Sequence, residues 1–218
     1  MDGAPTDGWS PLAERYDRVV DRQIGPATRA LLRERLAREH ALGTVVELGC
    51  GTGFFTSTLA AQAARVVATD ASPGMLAVAR RCVTAPNVAF RVEDCQRTSL
   101  AAGSFDTAFM SLLLHFTDAD ATLRETRRIL RPGGTLIVCN LDPSTLRGAA
   151  RIRCFARVVY TAITGYRTKP PGMKRFLDEA ALRARLADAG FAVRDVATIA
   201  DRTRPSYIPV VWATAIAR

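Results

Sequence analysis

Histidine and lysine are almost missing from this 218-residue sequence: of its 30 basic residues only Lys169 and Lys174 are lysines, and the only imidazoles are His40 and His115. Chemistry that needs a histidine has two rings to choose from. Long apolar runs are missing too, none approaching the roughly 20 residues that cross a bilayer as a helix. The opening stretch MDGAPTDGWS has neither the basic n-region nor the apolar h-region of a secretory leader. These absences predict a cytoplasmic protein. The five cysteines, Cys50, Cys82, Cys95, Cys139 and Cys154, are odd in number and show no C-x-x-C spacing. That excludes a disulfide framework and a zinc knuckle on sequence grounds, leaving reduced thiols, mostly buried. No internal repeat or low-complexity tract is present.

What is there fits one domain with a full core. The net charge of +9 suggests nucleic acid until it is divided along the chain. Residues 1–143 hold 16 basic and 16 acidic side chains, and residues 144–218 hold 14 and 5, which accounts for the whole excess. A neutral body carries a basic C-terminal third.

From residue 44 to 140 strand-like and helix-like segments alternate. TVVEL (44–48), RVVATD (65–70), NVAFRVED (87–94), SFDTAFMSLLL (104–114) and TLIVCN (135–140) read as strands. Between them GFFTSTLAAQA reads as a helix, as does SPGMLAVARRCV, with Ser72 as N-cap and Pro73 at the first helical position. DADATLRETRRIL (118–130) is a third helix, ended by Arg131-Pro132-Gly133-Gly134. Strands spaced by helices predict βαβ units and a mostly parallel, Rossmann-like doubly wound α/β sheet. Beyond residue 177 a helix, Gly190 and a strand follow, and 209–217 closes the sheet as an antiparallel last strand. Before residue 44, Pro11 to His40 reads as helices broken at Gly25-Pro26.

The stretch VVELGCGTGFFT (45–56) places Gly49, Gly51 and Gly53 at alternate positions after a buried strand. Such a turn lets backbone N–H groups and a helix N-terminus approach a nucleotide-like ligand closely. The dinucleotide fingerprint needs glycine where Phe54 stands, which argues for a ligand without a pyrophosphate. Asp70 and Asp94 end the next two strands, the second preceded by Glu93, and carboxylates there face the crevice of an α/β sheet. Asp70 can accept from two ribose hydroxyls and Asp94 from an exocyclic adenine amine.

Taken together, E-L-G-C-G-T-G, V-V-A-T-D-A-S-P-G-M-L, V-E-D, S-F-D-T-A-F-M-S-L-L-L-H-F and R-I-L-R-P-G-G-T-L resemble the class I S-adenosylmethionine-dependent methyltransferases. The resemblance is to their UbiE-like branch, which methylates quinones, lipids and natural products, and A-E-R-Y-D-R-V-V before the first strand fits that branch. It implies S-adenosylmethionine as cofactor and S-adenosylhomocysteine as product. The loop Gly49, Cys50, Gly51, Gly53 would underlie the methionine moiety and Glu47 would meet its ammonium group. Asp70, with Ala71 beside it, would hold the ribose, Met75 would cover the adenine, and Asp94 and Cys95 would meet its edge. Ser111 would sit at the methionine end, with Tyr16 closing a lid. The implied organisation is a helical lid (1–43), a cofactor core (44–143), a substrate cover (144–177) and a C-terminal helix with strands (178–218).

His115, after the fourth strand, is the one candidate general base; hydrogen bonding in a loop or packing is the plain alternative. No [DN]-P-P-[YF] motif stands at 111–114 and no proline-cysteine pair occurs, which disfavours nucleic-acid bases as acceptors. Ser111, Asn140 and Asp142 make a poor magnesium cage, so no metal is expected. In 144–177, Ile152, Phe155, Val159, Ala162 and Tyr166 share one helical stripe while Arg147, Arg151, Arg153 and Arg157 form much of the opposite side. Three readings of residues 145–167 stay open: peripheral contact with an anionic membrane, binding of an acidic substrate, or a solvated arginine face. The expected partner is a small-molecule acceptor, and oligomeric state is open. A non-catalytic S-adenosylmethionine binder and an NAD-dependent dehydrogenase are the rival readings.

Overall fold

Val45, Val46 and Leu48 are fully buried in the strand Thr44–Leu48 (β1), apolar toward both faces as a central parallel strand must be. In the computed structural model, which describes residues 8–164 and 176–218 except the side chains of 161–164, β1 lies inside a seven-stranded sheet. The others are Arg65–Asp70 (β2), Val88–Val92 (β3), Phe105–Ser111 (β4), Leu130–Leu141 (β5), Phe191–Ile199 (β6) and Val210–Ala217 (β7). Their order is β3-β2-β1-β4-β5-β7-β6. Only β7 runs against its neighbours β5 and β6; the other pairs are parallel. The chain leaves β1 in one direction and reaches β4 in the other, so the carboxyl ends of β1 and β4 flank the switch point where such sheets bind ligands.

Helices Tyr16–Ile24 (α1), Pro26–Leu36 (α2), Thr56–Gln62 (α3), Pro73–Cys82 (α4), Ala119–Ile129 (α5), Gly148–Thr164 (α6) and Glu179–Asp188 (α7) cover both faces. Because side chains alternate along a strand, Val45, Val66, Phe109, Ile137 and Trp212 meet Leu32, Leu59 and Cys154 of α2, α3 and α6 on one face. Val46, Val67, Ala108, Val138 and Ala213 meet Leu123, Leu182 and Leu186 of α5 and α7 on the other. Ser72 Oγ accepts from Met75 N at 3.2 Å, capping α4, and Asp118 caps α5 through the amides of Asp120 and Ala121. Gly25 joins α1 to α2 at φ +83°, where a Cβ would come within 2.8 Å of the Tyr207 ring.

Three strand boundaries differ from expectation. β4 stops at Ser111 and not at Leu114. β3 stops at Val92, because Asp94 turns back onto Gln96 N at 2.9 Å instead of continuing the ladder. β5 begins at Leu130, which pairs with Phe105, and a register shift carries the Arg131–Gly134 turn before Thr135 pairs with Thr107. On α6 the apolar stripe faces outward: Ile152 and Phe155 are 71% and 70% exposed, while Cys154 is buried and Val158 packs on the core. Arg157 is not on a solvated face, since its guanidinium lies over the Tyr207 ring at 4.3 Å and donates to the Ser206 carbonyl. Tyr166 and the side chain of Ala162 lie outside the described residues.

Candidate active site

The loop after β1 is built on left-handed glycines, with Gly49 at φ +68°, Gly51 at +55° and Gly53 at +84°, a region that side chains with a Cβ rarely enter. Each faces something different. A Cβ on Gly49 would lie 2.7 Å from Leu113, and one on Gly51 would meet the Tyr16 ring at 3.4 Å. At Gly53 it would strike Val83 at 2.9 Å. Gly53 is therefore where α4 packs against the loop, and it lies on neither cavity wall.

Two adjoining cavities open at the carboxyl ends of β1, β2 and β4. The larger, of about 380 Å³, takes in Asp70, Ala71, Met75, Glu93, Asp94 and Cys95. The smaller, of about 40 Å³, lies between α1 and the loop and takes in Glu47, Cys50 and Thr52. Tyr16, Gly49, Gly51, Ser111 and Leu112 border both. The larger falls within the roughly 300–1000 Å³ of small-molecule sites.

Asp70 is fixed by backbone amides. Its Oδ2 accepts from Gly51 N and its Oδ1 from Ser72 N, both at 2.9 Å, so it ties the glycine loop to the start of α4. Asp94 is exposed apart from its turn to Gln96. Glu93 accepts from both the amide and the hydroxyl of Ser99, at 2.8 and 2.5 Å, holding the following turn. Met75 is 2% exposed and also packs with Ala13 and Val78.

Glu47 is the strongest electrostatic feature. It is 2% exposed and its Oε2 accepts from Thr56 Oγ1 at 2.6 Å. Burial pushes its carboxyl up to about 8, with the charge of Asp70 adding to the rise against the Thr56 hydrogen bond. A buried carboxyl in this condition is stabilised by a cation placed in the small cavity. The Cys50 thiol is raised well above its usual range by burial, and Cys95, beside Thr122, is pushed up to about 12 for the same reason. Neither is a nucleophile at neutral pH. Ser111 Oγ is buried beside the Cys139 thiol and makes no hydrogen bond of ordinary geometry among the described residues.

His115 does not join this group. It is 2% exposed, lies on neither cavity wall, and packs between Phe116 and Phe176 with ring centroids 4.1 and 5.4 Å away. Burial lowers its pKa to about 3, and its Nδ1 is buried with no hydrogen-bond partner among the described residues. Two features were missed. Trp9 stands over the larger cavity, edge-on to Phe116 at 4.7 Å and to Tyr16 at 6.1 Å; no motif spacing marks it. Asp17 accepts from Thr52 Oγ1 at 2.9 Å and from Arg29 at 3.0 Å, while Arg29 covers the Phe54 ring at 3.6 Å. The charge alternation of D-R-V-V-D-R hinted at such pairing without naming the partner. Among the described residues no group of three or more His, Cys, Asp or Glu could hold a metal ion.

The sheet order, the glycine turn and the tethered acid at the end of β2 define a Rossmann-like enzyme that takes a nucleoside-bearing cofactor. Residues 46–138 match the family described as "Methyltransferase domain". The chain is 32% identical over 204 residues to the demethylmenaquinone methyltransferase of Thermus thermophilus, covering 85% of this chain and 92% of that one. It is 34% identical over 167 residues to the ubiquinone biosynthesis O-methyltransferase of Xanthomonas euvesicatoria, covering 72% and 66%. The chain bound to the Trm112 methyltransferase activator of Haloferax volcanii superposes with a TM-score of 0.75 at 22% identity, covering 97% and 96%. The protein belongs to the class I S-adenosylmethionine-dependent methyltransferases, in their UbiE-like small-molecule branch. Its cofactor is S-adenosylmethionine and its product S-adenosylhomocysteine. The donor set fits: Glu47 favours a cation, and S-adenosylmethionine carries an ammonium and a sulfonium.

Proposed function

We propose that the enzyme methylates an oxygen, nitrogen or carbon nucleophile of a quinone, lipid or natural product, without a metal, and that residues 1–43 act as its lid. The observation that carries this reading is the pair of adjoining cavities, with acids on the wall and the aromatic rings of Trp9, Tyr16 and Phe116 over the larger. Such a wall suits a cationic donor beside an apolar acceptor, the one guanidinium on it, that of Arg29, being paired with Asp17 and Asp21. The names of the Thermus and Xanthomonas relatives support a quinone-type acceptor. S-adenosylmethionine supplies a methyl group already activated on sulfur. The chain's work is then to hold and align and to keep water out. In this reading Asp70 receives the ribose hydroxyls and Glu47 receives the ammonium. Asp94, Met75 and Cys95 surround the adenine, Ala71 lies beside Asp70, and Ser111 sits at the methionine end. No general base is assigned, because His115 is too weakly basic where it lies. The five free cysteines support a reducing, cytoplasmic setting.

The test is calorimetric binding of S-adenosylmethionine, S-adenosylhomocysteine and NAD, followed by mass spectrometry of quinols and phenols incubated with enzyme and donor. Binding of the first two but not NAD, with a methylated acceptor, is expected. Cofactor binding without methylation of any quinol, phenol, amine or lipid tried would favour the non-catalytic binder.

A further inference from the structure

Among the described residues the large hydrophobic side chains that face solvent are Leu31, Val92, Ile152, Phe155, Val159 and Tyr160. Four of the six are on α6, and Tyr160 has Arg22 of α1 over its ring at 5.9 Å. Ile152, Phe155 and Val159 stand at i, i+3 and i+7, which places them on one stripe of the helix. The opposite side is occupied, by Cys154 in the core, Val158 packed on it and Arg157 on Tyr207. The apolar stripe is therefore not the helix's attachment to the fold. Arg151 and Arg153 are exposed, and at 100° per residue they fall on the two flanks of the stripe.

The local charge is one-sided. Between Asp142 and Asp178 the sequence contains no acidic residue and eight basic ones, Arg147, Arg151, Arg153, Arg157, Arg167, Lys169, Lys174 and Arg175. An apolar helix face bordered by guanidinium groups has the chemistry of an interfacial helix, whose apolar side chains sink to the acyl boundary while its cations meet lipid headgroups. A protein partner of ordinary composition would offer acids at fixed points. A leaflet of anionic lipid offers negative charge everywhere, and nothing in the eight-cation stretch opposes it.

We propose that the outward face of α6, through Ile152, Phe155 and Val159 with Arg151 and Arg153 beside them, docks the protein on an anionic lipid bilayer. α6 packs on α1, whose Tyr16 borders both cavities, so docking brings the cavity mouth region to the surface where apolar acceptors dissolve. The docking itself does not depend on which acceptor is methylated.

Vesicles of phosphatidylglycerol and phosphatidylcholine, and vesicles of phosphatidylcholine alone, test this by co-sedimentation with the full chain. The parent should bind the anionic vesicles and leave the neutral ones. Arg151→Gln with Arg153→Gln should weaken partitioning roughly tenfold or more at low salt, since each cation near an anionic surface contributes about 1 kcal/mol, and the loss should shrink as salt is raised. Ile152→Ser with Phe155→Ser should reduce binding at every salt concentration. Both pairs are exposed, so melting temperature and S-adenosylmethionine affinity should match the parent and separate this result from failure of the methyltransfer reading. Absence of parent binding to anionic vesicles would overturn the proposal. So would undiminished binding by the Ser pair, or a parent dimer in analytical ultracentrifugation that the Ser pair converts to monomer, which would make the stripe an interface between copies.

Discussion

Glu47 and Asp70 are both carboxylates on the site wall, yet their surroundings set them to opposite tasks. Asp70 is held by two backbone amides, which fix its oxygens in place. Glu47 has one hydroxyl and otherwise burial, so its proton stays on up to about pH 8. The linkage sign follows: a carboxyl whose folded pKa lies above its unfolded value of 4.5 keeps a proton that the unfolded chain has lost, so stability falls as pH rises from about 4.5 to 8 and is level beyond. Glu47→Gln removes that loss. In thermal unfolding without cofactor, its advantage over the parent should be absent near pH 4.5 and grow through pH 8. For the parent, a cationic cofactor should displace the Glu47 proton, and affinity should climb with pH until about 8. Calorimetry at pH 7 in buffers of different ionisation enthalpy should show proton release by the parent and none by Glu47→Gln. Equal release by both would remove Glu47 from cofactor binding. Asp70→Ala, in contrast, should weaken S-adenosylmethionine by about 2 kcal/mol or more at any neutral pH, since a charged acceptor and the Gly51 tether are lost together.

At the scale of elements the site depends on how α1 is held. Asp17 joins α1 to the glycine loop through Thr52, and Arg29 of α2 joins Asp17 and Asp21 while lying on Phe54. Phe54 occupies the position where a dinucleotide fold needs glycine, and its ring is the platform under the buried guanidinium. Asp17 is half exposed and Arg29 is 7% exposed at the side chain, so the two are not equivalent targets. Asp17→Ala leaves Arg29 its Asp21 partner at 3.0 Å and should cost about 1 kcal/mol of stability. It should speed cofactor release several-fold, because the helix that carries Tyr16 across Gly51 loses its bond to the loop; stopped-flow displacement reads this directly. Loss of stability with an unchanged release rate would mean that α1 does not gate the cavity. The same scale shows where helical periodicity stops being informative. The stripe Ile152, Phe155, Val159 is correctly amphipathic, but a period shows only that two sides differ. Tyr207 and Ser206, some fifty residues away, decide that Arg157 faces inward.

For the whole molecule, legibility followed locality. The strands β1 and β2, the Ser72 cap and the alternating glycines are short-range patterns, and the structure places each at its expected position. Trp9, the Asp17 to Thr52 bond and the burial of His115 arise from contacts between segments far apart in sequence, which no window of residues displays. The walls those contacts complete make a prediction about the entire fold. The cavities join the loop after β1, the end of β2, the turn after β3 and the residues around Trp9 and Tyr16, so a ligand that fills them links separate parts of the chain. A ligand that binds only the native state stabilises it by about 2.7 kcal/mol at a hundredfold excess over Kd, and a domain of this size gains roughly 2–4 °C per kcal/mol. S-adenosylmethionine and S-adenosylhomocysteine at that excess should each raise the melting temperature by roughly 5–10 °C, and NAD at the same concentration should leave it unchanged. Trp9→Ala should reduce the shift from both ligands while its unliganded melting temperature stays close to the parent's, since the residue is in a half-exposed position at the start of the described chain. A full shift in that variant would leave the ring over the cavity without a part in holding the cofactor.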